Sequence, residues 1–292
     1  MVSEINIWTQ KTLDLATKSN YLDKLLEIYP AKLPPSRTLP RDIKNTIIKL
    51  YNEKKYVELV ILLINLKDIN FPFPIEHPYA ALLRHLSKRV RPYVIKRNPG
   101  IIKELADLVM SLGLDNIVRG VERPKDINRT LGAAFKLWVQ KRFSKPPFKI
   151  VQDCSYLLKC ESNEICIYVG PDEQIAYFIK SYLNLKEPEK GFFDRDIIAK
   201  VKDHYIIGEA RFLSTPGGSQ NRDLDNTLKF VESMEEIAAR KRDVRAIALL
   251  DGVIWFHAPY VRKITRKAIG DRVVMSALFL EEYLLEFFNK LL

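Results

Sequence analysis

Asp196, Glu209 and Arg211 lie in the stretch DRDIIAKVKDHYIIGEARFLSTPGGSQN, which sets two carboxylates and a guanidinium at strand spacing. Side chains alternate across a strand. Asp196, Ile198 and Lys200 therefore share one face of a first arm, and Tyr205, Ile207, Glu209 and Arg211 share one face of a second. Any two-residue turn between the arms puts Asp196 on the same face as Glu209. A turn at Lys202-Asp203 sets the two directly opposite, and a turn at Asp203-His204 sets them one diagonal apart. Opposed carboxylates on a sheet repel each other. A hard divalent cation such as Mg²⁺ offsets that repulsion, because it takes one or two carboxylates together with water and substrate phosphate. The chemistry of such a group is metal-assisted phosphodiester hydrolysis. The competing reading of the same residues is a surface ion-pair cluster. The carboxylate repulsion also predicts that replacing either acid leaves folding stability unchanged or raises it.

The segment that follows, STPGGSQNR, supplies Ser214, Thr215, Ser219, Gln220, Asn221 and Arg222. Gly217-Gly218 suits a close approach of backbone to backbone, and Ser219 or Asn221 is the expected cap of the next helix. A helix N-terminus beside the hairpin offers N–H groups and a dipole to a phosphate. Amide side chains pair with adenine edges and arginine with guanine edges, so these six residues are the candidate DNA contacts. A capped strand-to-helix turn with incidental polar residues is the alternative.

The whole chain supports a polyanionic partner. Its 292 residues carry 47 Lys and Arg against 36 Asp and Glu, a net charge of +11, and an excess of this size favours nucleic acid. The basic runs KRVRPYVIKR (88–97) and RKITRKAIGDR (262–272) are further places for backbone contact, or solvated faces. Cys154, Cys160 and Cys166 are evenly spaced and odd in number, which argues against a disulfide framework and for small apolar filler. No signal-peptide pattern is present, and VELVILLINL is too short for a membrane span. The expected location is the cytoplasm, with no membrane association.

The elements that must position these groups read in two halves. NYLDKLLEIYP, RDIKNTIIKLYNEKKYVELVILLINL, PYAALLRHLSKRV and GIIKELADLVMSLGLDNIVRGV have apolar residues at helical spacing, with proline-rich breaks at AKLPPSRTLP and NFPFPIEHPY. From about residue 125 the pattern becomes a helix (INRTLGAAFKLWVQKRF), short β-rich runs (FKIVQDCSYLLK, EICIYVG and the hairpin), a helix, a strand turning at Asp251-Gly252 into another, and a C-terminal amphipathic helix. The step from the Ile206–Phe212 strand through a long helix to Ala246–Leu250 has the length of a crossover. The fold class is α/β, a central mixed sheet flanked by helices, with a helical N-terminal region. The expected division is 1–122, for DNA binding or dimerisation, and 123–292. Trp138 and Trp255 are expected in the core, His77 and His85 as surface or packing residues, and His204 facing solvent.

Asp196, a strand-length gap and Glu209-Ala210-Arg211 resemble the signature of the PD-(D/E)xK nuclease superfamily. With NRTLGAAFKLW upstream, residues 125–255 look like prokaryotic type II restriction endonucleases. The literal proline is absent, since Arg195 precedes Asp196, and Arg211 stands where the family has Lys. The resemblance implies a PD-(D/E)xK nuclease-like core and Mg²⁺-dependent cleavage of double-stranded DNA at a short specific sequence. It assigns the metal to Asp196 and Glu209, with Asp194 as the alternative first acid. Arginine does not deprotonate usefully, so Arg211 acts as a phosphate clamp and Lys200 is the candidate ammonium. A homodimer and a cognate DNA methyltransferase in a restriction-modification system are the implied partners. The rival functions are a repair or junction-resolving nuclease of the same fold, and a non-catalytic DNA-binding protein with a decayed site.

Overall fold

The computed structural model describes residues 4–30, 38–123, 127–240 and 243–291, without the side chains of 127–129, 219 and 240. Most of the proline-rich stretch 31–40 and the junction at 124–126 lie outside the described residues. The chain divides into two compact units, Met1–Leu33 with Leu131–Leu292, and Pro34–Thr130. The first helices, α1 (Ile7–Lys18) and α2 (Tyr21–Leu25), thus belong with the C-terminal part rather than with a helical region running unbroken to 122. Polar pairing explains why. Ile5 bridges Ile269, Thr9 Oγ1 donates to the Val274 carbonyl at 2.7 Å, and the Ser276 N–H donates to Thr12 Oγ1 at 3.1 Å.

The second unit is helical: α3 (Arg41–Asn52), α4 (Tyr56–Asn65), α5 (Pro78–His85), α6 (Arg91–Arg97), α7 (Pro99–Leu112) and α8 (Leu114–Glu122). The apolar period running through Asn52 to Tyr56 is broken by Lys54 at φ +56°, and that between α7 and α8 by Gly113 at φ +77°. Its core contains Ile47, Leu59, Leu63, Leu105, Val109 and Ile117. The basic run 88–97 splits in two. Arg91 is buried, bonded to Asp68 and Asn65, whereas Lys88, Arg89, Lys96 and Arg97 are exposed.

The other unit continues with α9 (Ile127–Arg142), β1 (Phe148–Ile150), β2 (Ile165–Tyr168), α10 (Asp172–Ser181), β3 (Ile197–Val201), β4 (His204–Leu213), α11 (Gly218–Arg240), β5 (Val244–Gly252), α12 (Ala258–Lys267), β6 (Val273–Met275) and α13 (Leu280–Lys290). The six strands form one sheet in chain order. β3 runs antiparallel to β2 and β4, and the β1–β2, β4–β5 and β5–β6 pairs are parallel. The mixed sheet and the β4–α11–β5 crossover are as the sequence implies. Leu224, Leu228, Val231 and Met234 of α11 are buried in the same core as β4 and β5. Gly208 is required where β4 passes between its neighbours, since a Cβ there would meet Ile197 Cγ2 at 2.6 Å. Trp138 and Trp255 are buried as expected.

Three local readings are corrected. β5 runs through Asp251 and Gly252 and gives way to a 3-10 turn, Val253–Trp255, not to a second strand. Cys160 and Cys166 form a disulfide with Cα atoms 6.1 Å apart, leaving Cys154 as the free, buried thiol. The odd count concealed a local pair across one turn. His204 is half-buried against Phe287, with ring centroids 5.5 Å apart. No helix among the described residues is long and apolar enough to cross a membrane.

Candidate active site

The hairpin turns at Lys202-Asp203, with Val201 paired to His204 and Lys202 at φ +53°. This is the register whose continuation sets Asp196 beside Glu209. The paired ladder ends at Ile197 with Gly208, and just past it the Asp196 N–H donates to the Gly208 carbonyl at 3.1 Å, one residue out of that register. Asp196 Oδ2 accepts the Ala210 N–H at 2.9 Å. Burial pushes the Asp196 carboxyl above the usual carboxylate range, opposed by the Arg211 guanidinium and the Ala210 N–H and reinforced by the charge of Glu209.

Glu209 is only 2% exposed, and both its oxygens are occupied. Arg195 Nη1 donates to Oε2 at 2.9 Å. Arg211 donates to Oε1 from Nε at 3.0 Å and lies within 2.8 Å of it through Nη2. Burial pulls the Arg195 guanidinium below the ordinary arginine value, against the charge of Glu209. Arg211 is also penalised by burial, but Glu209 and Asp196 outweigh that and leave it raised. The carboxylate pair is thus embedded in a balanced cluster, in which Arg195 is the member that sequence reasoning noticed only as a departure from the motif. Its signal would have been a basic residue beside the first acid.

The remaining site candidates separate. Asp194 is exposed, in the turn before β3, where its N–H donates to the Gly191 carbonyl. Lys200 pairs with Tyr205 at the far end of the ladder, and its Nζ faces the Leu158 and Cys160 carbonyls at 3.4 and 3.5 Å. Four residues of strand, about 13 Å, separate it from Asp196, so it does not join the pair. Lys136 of α9 is an ammonium whose charge, after burial, Arg211 and the Ala210 N–H, also acts on Asp196 and opposes the upward shift of its carboxyl. It is held by the Gly170 carbonyl at 2.6 Å and by Asp172 at 3.0 Å, and sequence spacing gave no cue to it.

In the loop, Gln220 Oε1 accepts the Thr215 N–H at 3.1 Å and Nε2 donates to Ser214 Oγ at 3.2 Å. The Tyr260 hydroxyl bonds Asn221 Oδ1 and accepts the Gly217 N–H. Both amides therefore brace the loop. Arg222 is exposed, and the Ser219 side chain lies outside the described residues. α11 begins at Gly218, so Ser219 and Asn221 lie within its first turn and do not cap it. Gly217 and Gly218 have φ of +104° and +55°, and a Cβ on either would meet nothing within 4 Å. Their use is backbone conformation rather than close approach. Much of the run 262–272 is neutralised: Lys263 pairs with Asp225, Lys267 with Glu232, and Arg272 with Glu232 and Glu235. Arg262 and Arg266 stay exposed.

Beside this cluster, at the end of β5, Asp251 is fully buried. It accepts from the Tyr21 hydroxyl at 2.8 Å, Ser276 Oγ at 2.5 Å, the Tyr29 hydroxyl at 3.3 Å and the Ala277 N–H at 3.3 Å. Burial outweighs these bonds and pushes its carboxyl up to about 6. The Tyr29 hydroxyl feels the charges of both Asp251 and Asp196, which ties the N-terminal segment to the site.

A half-buried Asp196 beside a buried Glu209 at the open end of a hairpin, flanked by guanidinium and ammonium groups, has the donor chemistry for a hard cation and a phosphate. No curated protein and no solved structure matches the chain. Residues 6–287 match the model described as Tsp45I type II restriction enzyme, and the chain belongs to that family of site-specific DNA-cleaving enzymes.

Proposed function

We propose that the protein hydrolyses phosphodiester bonds of double-stranded DNA at a short specific sequence, using Mg²⁺ at Asp196 and Glu209 on a PD-(D/E)xK-type core. The observation that supports this reading is the convergence of Asp196 and Glu209 at the open end of the β3–β4 hairpin, where Asp196 Oδ2 accepts the N–H of Ala210, the residue after Glu209. Membership of a restriction enzyme family supports cleavage over passive binding.

The residues present fit a hard cation. Both acids are oxygen donors from neighbouring strands, and Asp196 Oδ1 has no hydrogen bond among the described residues. Glu209 Oε2 keeps a lone pair beyond its single Arg195 contact, and Oε1 is covered by Arg211. A divalent cation held there supplies an activated water and neutralises developing charge. The chain's own groups do the rest. Arg211 clamps the scissile phosphate, Lys136 adds positive charge from α9, and the Ala210 N–H fixes the Asp196 carboxylate. Arg222 and the exposed Arg262 and Arg266 suit phosphate or base-edge contact. Ser214, Thr215, Gln220 and Asn221 brace the loop that leads into the first turns of α11, where Arg222 lies, and Ser219 is proposed as a base contact.

The helical unit contributes DNA contacts or dimerisation through exposed bases such as Lys96 and Arg97. A homodimer matches a two-fold symmetric site, and a cognate methyltransferase protects host DNA in the cytoplasm. Plasmid digestion tests this reading. Mg²⁺ should yield discrete fragments whose sequenced ends flank one short common sequence, and EDTA should abolish cutting. Intact plasmid with Mg²⁺, or unchanged cutting in EDTA, would overturn it.

A further inference from the structure

Glu209 is gripped by two arginines that differ in every respect that matters for exchange. The Arg195 side chain is 9% exposed and that of Arg211 44%. The Arg195 guanidinium carbon lies 4.0 Å from the Phe230 ring centroid and 5.5 Å from that of Phe192. Two aromatic faces therefore wall it in. Its Nε is buried and has no hydrogen-bond partner. An orphaned buried donor is costly, and such a group in a native fold calls for an explanation. Arg211 has no such enclosure. It lies at the solvent side of Glu209, within the fields of Asp196 and Asp223.

We propose that Arg195 is a positioning residue that holds Glu209 Oε2 throughout the reaction, while Arg211 is exchangeable: a divalent cation takes its place on Oε1 and so frees it for a DNA phosphate oxygen. The inference rests on the hairpin being the active site. Pinning Oε2 from beneath leaves Oε1, the oxygen Arg211 covers, as the one that changes partners. With Arg211 gone, Oε1 is free for a divalent cation, whose charge takes over neutralisation of the Asp196–Glu209 pair. Arg195 cannot follow, because leaving Glu209 would also mean leaving the Phe230 and Phe192 rings it packs against. The unfilled Nε is the cost of placing a permanent cation under one carboxylate oxygen. A single arginine could not both anchor Glu209 and clamp phosphate.

The test uses the full-length wild-type protein with ¹⁵N-labelled arginine. The Nε–Hε signals of Arg195 and Arg211 are assigned from the Arg195→Lys and Arg211→Lys spectra. On titration with Mg²⁺ alone, the Arg211 signal should shift and its hydrogen exchange should speed up at least about tenfold, as expected for loss of a charge-assisted partner worth over 1.4 kcal/mol. The Arg195 signal should stay in place and exchange slowly. Kinetics give a second readout. Arg195→Met should lower kcat about 10- to 100-fold, the usual cost of losing a residue that orients a ligand, with KM for plasmid DNA within about threefold because Arg195 touches no substrate. Arg195→Lys should recover much of the loss. A protein that cuts plasmid while Mg²⁺ leaves the Arg211 signal unmoved, or moves Arg195 equally, overturns this proposal alone. A protein that leaves plasmid intact in Mg²⁺ removes the active-site reading on which it rests.

Discussion

Asp196 Oδ2 accepts the Ala210 N–H at 2.9 Å, so this carboxylate reaches across the end of the β3–β4 ladder to the residue after Glu209. Glu209 itself is held by Arg195 and Arg211 and makes no bond to that backbone. The two acids face one another but depend on different partners, and their removal should have different consequences.

Asp196→Ala and Glu209→Ala should both abolish plasmid cleavage while gel shifts in Ca²⁺ show retained DNA binding. Their stabilities should diverge, contrary to what carboxylate repulsion alone predicts. Glu209→Ala strands the buried Arg195, and breaking a buried pair costs about 3–5 kcal/mol. Asp196→Ala removes a carboxylate that burial already disfavours as an anion and should change the melt by about 1 kcal/mol or less, near the net worth of its one hydrogen bond. Equal losses in denaturant unfolding would contradict the asymmetric clamp.

Asp194→Ala and Lys200→Ala should cut plasmid at rates within a fewfold of wild type, since Asp194 lies exposed before β3 and Lys200 faces the Leu158 and Cys160 carbonyls. Lys136→Ala should slow cleavage more than Lys200→Ala does, because its charge reaches Asp196. The initial rates of all three variants at one Mg²⁺ concentration decide the order.

The loop should divide into braces and contacts. Tyr260→Phe removes the hydroxyl that joins Gly217 to Asn221 and should cost about 1–2 kcal/mol in thermal melts, as for a partly buried hydrogen-bond pair. Arg222→Ala should leave the melt unchanged and weaken binding, by about 1–3 kcal/mol on the cognate duplex if it reads a base. Equal weakening on random duplex would make Arg222 a phosphate contact.

Binding should fall steeply with salt. The charge of +11 and the exposed Arg222, Arg262 and Arg266 predict counterion release, with a log–log slope near −0.9 per phosphate neutralised. Arg262→Ala should reduce that slope by about one if the residue contacts one phosphate. Fluorescence anisotropy over a salt series would expose a flat profile, which would count against a nucleic-acid partner.

Asp251 should leave a pH signature on stability. Its folded carboxyl is raised to about 6 from an ordinary 3.8, so between these values the folded state holds the proton that the unfolded state has lost. Stability from this group is therefore full below about pH 4, falls as pH rises towards 6, and is flat above. The shift corresponds to roughly 3 kcal/mol at 1.36 kcal/mol per unit. Asp251→Asn lacks the titration, so the wild type's stability relative to the variant should shrink by that order between pH 4 and 6 in denaturant titrations. A constant difference would mean that Asp251 does not titrate in this range.

Alternation along two strands and a short turn were enough, by sequence alone, to put Asp196 and Glu209 on one face, because strand periodicity and turn chemistry are local properties of the backbone. The same locality made the mixed α/β sheet and the β4–α11–β5 crossover legible. Two registers satisfy the same alternation, and the fold takes the turn at Lys202-Asp203. Everything that decides how the acids are neutralised came from distant chain. Arg195 reaches Glu209 only because Phe192 and Phe230 enclose it, Lys136 arrives on α9, and Tyr260 of α12 takes the amide that base reading would have used. Asp251 looked like a turn residue until Tyr21, Tyr29 and Ser276 closed around it. A buried charge is satisfied by whatever packing brings within about 3 Å, and no periodicity in the chain records that.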